Sequence, residues 1–108
     1  MIVRYLFKGK DQADDMTIGR EYVVLGIEGD YYRILNDEDR PYLYDPKQFS
    51  MVDSTEPEFW VNKYGEDSER YAYPKAWCEP GFFEDYHDHV DAVKKVFWSV
   101  YSKYYGSV

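Results

Sequence analysis

Short apolar runs separated by tight-turn residues fill the first half of the chain. Ile2 to Phe7 alternates, with Ile2, Arg4 and Leu6 on one face and Val3, Tyr5 and Phe7 on the other, which predicts a strand. The polar stretch Lys8 to Met16, with Gly9, Asp11, Asp14 and Asp15, predicts an exposed loop. Thr17-Ile18-Gly19 turns the chain into Glu21 to Ile27, whose Tyr22, Val23, Val24, Leu25 and Ile27 favour a strand. Glu28-Gly29-Asp30 is hairpin-turn chemistry, with a glycine free to take positive φ, and the strand Tyr31 to Leu35 follows. Asn36 to Asp39 is a second, acidic turn. Arg40 to Tyr44 is a further strand, and Pro41 assigns it to an edge or a strand entry. Asp45 to Gln48 predicts one short helical turn, and Phe49 to Val52 a closing strand. Thr17 to Asp53 therefore reads as the organising part of a small five-stranded antiparallel barrel.

Beyond Ser54-Thr55-Glu56-Pro57 the pattern changes. Glu58 to Tyr64 and Glu69 to Tyr73 flank a turn at Gly65 to Ser68 and predict a hairpin. Pro74 to Gly81 is irregular. From Phe83 to about Tyr105 there is neither Pro nor Gly. Tyr86, Val90, Val93, Phe97, Val100 and Tyr104 recur at helical spacing, with Val96 and Tyr101 widening the stripe. Glu84, Asp85 and Asp88 near the start, Lys103 near the end and Gly106 as terminator suit the helix dipole. One continuous helix of about 34 Å is expected. The expected class is α+β: a single domain with a barrel over 1–53, a hairpin and irregular extension over 54–81, and a long C-terminal helix over 82–106.

Totals narrow the functions. A chain of 108 residues can bury enough apolar surface to fold as one unit. One cysteine, Cys78, excludes an internal disulfide framework and suits a reducing compartment. No apolar run approaches the roughly 20 residues of a bilayer-spanning helix, and Met1 to Tyr5 resembles a strand rather than a signal peptide. A cytoplasmic protein without membrane association is expected. The net charge of -8 repels phosphate backbones and attracts basic protein surfaces, which argues for a protein partner and against nucleic acid. Thirteen tyrosines supply large apolar faces with polar tips, suited to interfaces and equally to a small aromatic core.

The first half resembles a Src-homology-3-like barrel. Tyr31-Tyr32-Arg33 stands where that family has an aromatic pair followed by a basic residue. Pro46-Lys47-Gln48-Phe49, running into Ser50-Met51-Val52, is similar to its Pro-x-x-aromatic turn before the final strand. The resemblance implies a peptide groove at Tyr5, Tyr31, Pro46 and Phe49, with Asp14 and Asp15 as acids for a ligand arginine. The family's Ala-Leu-Tyr-Asp-Tyr pattern is missing from the first strand, and position 31 is Tyr where Trp is usual. Trp60 to Trp77 and Pro80 to Tyr86 resemble small bacterial proteins that include toxin-neutralising immunity proteins.

Candidate chemistry is sparse. Glu84, His87, Asp88 and Asp91 would share one edge of a continuous helix, a carboxylate–imidazole set suited to a divalent metal. An acidic first turn favoured by the dipole explains them as simply. Cys78 would need His87 or His89 as a base, and a lone thiol between Trp77 and Pro80 is more often inert. No catalytic residues, metal or cofactor are assigned. The expected role is that of a non-enzymatic protein-binding module, in its sharpest form an immunity-type inhibitor that masks a basic toxin domain. Its expected surface comprises Asp37, Glu38, Asp39, Tyr42, Tyr44, Glu66, Asp67, Tyr71 and Tyr73. A Src-homology-3-like adaptor and a small metal-dependent enzyme are the alternatives.

Overall fold

A computed structural model describes residues 1–7 and 13–106. Most of the expected loop from Lys8 lies outside the described residues. Its end is not wholly exposed, because Met16 is buried in the core.

The fold is α+β. Seven strands form one antiparallel sheet: β1 (Ile2–Tyr5), β2 (Glu21–Glu28), β3 (Tyr31–Leu35), β4 (Pro41–Tyr44), β5 (Phe49–Asp53), β6 (Trp60–Tyr64) and β7 (Arg70–Pro74). The order is β4-β3-β2-β1-β5, and β7 pairs with both β2 and β6. β4 and β5 end the five-strand path without pairing with each other, so the sheet is not closed into the expected five-stranded barrel. The hairpin joins the same sheet, since Ala72 and Tyr71 pair with Ile27 and Glu28 of β2. Two elements follow, α1 (Phe82–His87) and α2 (Asp91–Tyr104). Among the described residues no helix is long and apolar enough to cross a membrane.

One irregularity in β2 shapes the whole molecule. Its register against β3 shifts by a residue between Val24 and Gly26, a β-bulge. A one-residue slip reverses which face each side chain takes. Tyr22, Val24 and Ile27 therefore join one core, with Val3, Tyr5, Ile34, Tyr44, Phe49, Trp60 and Ala72. Leu25 points into a second core, with Tyr73, Trp77, Phe82, Phe83, Tyr86 and Phe97. β7 is shared in the same way, Ala72 facing the first core and Tyr73 the second. At the bulge only glycine fits. A Cβ on Gly26 would stand 2.2 Å from Cδ1 of Tyr73 and 2.8 Å from the Ala72 carbonyl oxygen.

The expected continuous helix is broken. His89 takes φ 62°, the left-handed region that favours glycine. The Val90 amide donates to the Asp85 carbonyl and the His89 amide to that of Tyr86, the bonds of a left-handed helix end. The break carries no Gly or Pro, so periodicity alone runs straight through it. Its effect is to fold α2 back on α1. Phe97, the one fully buried residue of α2, stacks on Trp77 at 4.7 Å and meets Phe83 and Tyr86 edge-on.

Candidate functional site

Two adjoining recesses mark one face. The larger, about 450 Å³, lies between the β6–β7 hairpin and the segment from Trp77 to His87. Strand alternation supplies its floor: Val61 pairs with Tyr73 and Lys63 with Tyr71, so these four share one side of the hairpin. Trp77, Pro80, Phe82 and Phe83 form its apolar wall, and Glu79 and Glu84 its acidic rim. The smaller recess, about 300 Å³, is lined by Glu38, Asp39, Arg40, Tyr42, Tyr86, His89 and Lys94. His87 lines both.

Beneath the larger recess lies a closed polar triad. Arg33 is 4% exposed, with its guanidinium 3.9 Å from the centre of the Phe83 ring. Its Nε donates to the Tyr73 hydroxyl at 3.0 Å, Nη1 to the Pro41 carbonyl at 2.9 Å and Nη2 to Glu28 at 2.9 Å. The Tyr73 hydroxyl donates on to the same Glu28 oxygen. A buried charge needs such pairing to avoid a large desolvation cost. Burial raises the Tyr73 pKa, so its hydroxyl stays protonated and able to donate. The triad therefore fixes β3, β7 and the end of β2 to one another.

The reactive side chains of this face are held in unreactive states. The Cys78 thiol donates toward the Tyr73 and Pro74 carbonyls, and burial raises its pKa despite the nearby Lys63 ammonium. A thiol so placed is a poor nucleophile. His87 stacks on Tyr42 with ring centres 4.6 Å apart and planes 3° apart, and its Nε2 donates to the Pro41 carbonyl at 3.2 Å. Burial lowers its pKa below the usual imidazole value, with the charges of Arg33 and Arg40 adding to this and the bond to the Pro41 carbonyl and the Asp88 charge opposing it, so the neutral ring is favoured at pH 7. The helix break also separates Glu84, His87 and Asp88 from Asp91. Among the described residues no group of three or more His, Cys, Asp or Glu could hold a metal.

The sequence-derived surface residues divide. Glu38, Asp39 and Tyr42 line the smaller recess and Tyr71 the larger. Glu66 and Asp67 are exposed at the turn between β6 and β7, the hairpin that floors the larger recess. Tyr73 lines that recess from within the second core. Tyr44 is buried in the first core, its hydroxyl accepting from Asn36. Asp37 is engaged internally. It accepts from Thr17, Tyr22 and Arg20, and these bonds lower its pKa against the upward push of burial.

The four groove residues do not form an open groove. Tyr31 is 49% exposed and Pro46 half-buried, but Tyr5 and Phe49 close on each other inside the first core at 5.4 Å. The Tyr5 hydroxyl accepts from the Ala13 amide, a reason to bury a tyrosine. Asp14 is exposed, while Asp15 accepts from the Asn36 side chain. Sequence reasoning missed Arg33 and His87 as parts of one face. The clue available was a basic residue at position 33 in a strand flanked by apolar neighbours.

No protein-family model, no curated protein and no solved structure matches this chain.

Proposed function

We propose that the chain is a non-enzymatic protein-binding module that presents the double recess to a partner, and within that class an immunity-type inhibitor of a basic toxin domain. The observation that carries this reading is the larger recess: an aromatic-walled hollow of about 450 Å³ rimmed by Glu79 and Glu84, which shares His87 with a smaller recess lined by Glu38 and Asp39. A volume in this range can accept side chains of a partner. Tyr42 and Tyr71 are the exposed aromatic anchors, and Glu38, Asp39, Glu66 and Asp67 the steering charges. The net charge of -8 supports a basic partner. The internally paired Arg33, the carbonyl-bound thiol of Cys78 and the neutral His87 favour recognition over bond making.

The finer fold reading rests on similar support. A single 3-10 turn at Pro46–Gln48 directly precedes β5, in agreement with a Src-homology-3-like origin for β1–β5. The peptide-groove version has less support, because Tyr5 and Phe49 face the core.

The reading is tested by co-expression with basic toxin domains encoded beside the gene, followed by isothermal titration of the pair that rescues growth. Tyr71→Ala should weaken binding at least tenfold. Joint neutralisation of Glu38, Asp39, Glu66 and Asp67 should slow association and reduce its salt dependence. Unchanged affinity and unchanged salt dependence in both variants overturn the reading.

A further inference from the structure

Among the described residues three strands have a sheet neighbour on one side only: β4, β5 and β6. Such an edge carries unpaired N–H and C=O groups that a further strand can use, and proteins commonly blunt it. Two of the three are blunted. β4 opens with Pro41, which has no N–H, and the Pro41 carbonyl already accepts from Arg33 and His87. β5 shifts register against β1 and leaves Val52 unpaired, a bulge that bends the edge. β6 has neither device. Its residues Trp60 to Tyr64 pair with β7 in unbroken register, and Val61 to Tyr64 are exposed.

The hairpin's own bonds fix which groups of β6 face outward. The Gly65 amide donates to the Glu69 carbonyl, so position 65 is bonded across the hairpin. Antiparallel pairs alternate between bonded and non-bonded. Lys63–Tyr71 and Val61–Tyr73 are therefore bonded pairs, and Asn62–Ala72 and Tyr64–Arg70 are not. Arg70 agrees with this phase: its N–H and C=O are turned from β6 and bonded to Asp30. Pro74 opposite Trp60, with no N–H to give, agrees as well. The backbone groups of Asn62 and Tyr64 thus point away from β7, along the open edge. Val61 and Lys63 line the larger recess, so a strand added at this edge would run along its border.

The charges around the edge select its occupant. Glu58 lies before the strand and Glu66 and Asp67 after it, all exposed, against Lys63 within it. A second copy of the chain, paired β6 to β6 about a two-fold axis, would bring Glu58 of each strand toward Glu66 and Asp67 of the other, acid against acid. The net charge of -8 adds to that repulsion. A basic strand meets opposite charge at both ends. We propose that β6 is the acceptor edge for an extended, basic segment of the partner, which joins the sheet through the backbone of Asn62 and Tyr64. This rests on the docking reading above and specifies the attachment: main-chain bonds at the hairpin edge, with alternate side chains of the added strand beside the larger recess.

The test uses the isolated chain, with a heptapeptide of alternating lysine and valine as the probe. Amide exchange is read by NMR over Val61 to Tyr64, and affinity by isothermal titration. In the free chain Asn62 and Tyr64 should exchange at least tenfold faster than Val61 and Lys63, and the peptide should slow Asn62 and Tyr64 at least tenfold. Tyr64→Pro removes an outward N–H at an edge position where proline is tolerated, and should weaken binding at least tenfold. Tyr64→Ala keeps that N–H and should bind as wild type does. A lysine–proline heptapeptide, similar in charge but poor in N–H donors, and a glutamate–valine heptapeptide should each bind at least tenfold more weakly. Unchanged exchange at Asn62 and Tyr64 with millimolar lysine–valine peptide would overturn the proposal, and this readout on wild type stands even if Tyr64→Pro does not fold. Equal binding by folded Tyr64→Pro and Tyr64→Ala, or by the lysine–proline peptide, would overturn it too. So would a dimer in sedimentation with Asn62 and Tyr64 protected in the absence of peptide, which assigns the edge to a second copy. A partner crosslink from position 71 without peptide-induced protection at the edge would remove the added strand and leave the docking reading standing.

Discussion

Tyr105 joins three parts of the molecule through one hydroxyl. It donates to the Leu25 carbonyl at 2.8 Å and accepts from the Trp60 indole N–H at 2.8 Å, while its ring stacks on Trp77. Leu25 is the residue at the β2 bulge, and Trp60 belongs to the first core. The end of the chain is thus tied both to the irregularity that divides the cores and to the hairpin. Tyr105→Phe keeps the ring and removes the hydroxyl, leaving one donor and one acceptor without this partner. We expect a loss of about 1–3 kcal/mol in urea-unfolding stability with little change in m-value. A loss near zero would mean that the hydroxyl bonds contribute nothing net. Trp77 differs in kind: among the described residues its indole N–H is the buried side-chain donor without an acceptor. Its place is set by packing between Phe97, Tyr105, Tyr73 and Phe83.

Among the elements, the two helices depend on a few residues. His89 adopts a conformation that costs an L-residue roughly 1–2 kcal/mol. His89→Gly should therefore raise the melting temperature, provided the looser unfolded chain does not offset the whole gain. The same substitution leaves the His87 contacts untouched. α2 is anchored by Phe97, and Phe97→Ala should cost about 3–5 kcal/mol. Near-ultraviolet circular dichroism should report the loss first in the second core, where Trp77 and Phe83 lose their partner.

The strands and the break were unequally legible. Strand positions were readable because alternation and turn chemistry are local: Glu28-Gly29-Asp30 and Asn36 to Asp39 connect strands as expected. The bulge was not readable, because Val24-Leu25-Gly26-Ile27 is apolar throughout and no alternation reveals a slip. The helix break was not readable either, since His89 occupies a position where glycine would have announced it. Pairing of β7 with β2 is a long-range choice with no local signal. For the candidate site, charge and tyrosine content indicated a surface. Which tyrosines are exposed depends on the two-core arrangement, which places Tyr44 and Tyr73 inside and leaves Tyr42 and Tyr71 outside.

For the whole molecule, stability should fall on acidification in two stages. The His87 pKa is lowered from 6.5, chiefly by burial, so the unfolded chain binds that proton first as pH falls. Stability present above about pH 6.5 is then lost on approach to the folded-state pKa. Asp37 and Glu56 are lowered from 3.8 and 4.5. Burial opposes the shift at Asp37, where hydrogen bonds from Thr17 and Tyr22 and the Arg20 charge prevail; at Glu56 the bond from Arg70 leads. Their contribution is full above about pH 4.5 and is lost below it. Urea midpoints at about pH 7.5, 5.5 and 3.5 should decline at each step. In His87→Gln the first decline should vanish and the second remain. An unchanged first decline in that variant would assign it to other groups.

The central claim is that the face holding the two recesses is the partner surface. Its most direct measurement is site-specific photocrosslinking in cells that naturally make the protein, with benzoylphenylalanine placed at Tyr42, at Tyr71, or at Val52 on β5 outside both recesses. The account predicts the same single protein adduct from positions 42 and 71, reduced by high salt, and no such adduct from position 52. An adduct from position 52 with none from 42 or 71 would contradict it.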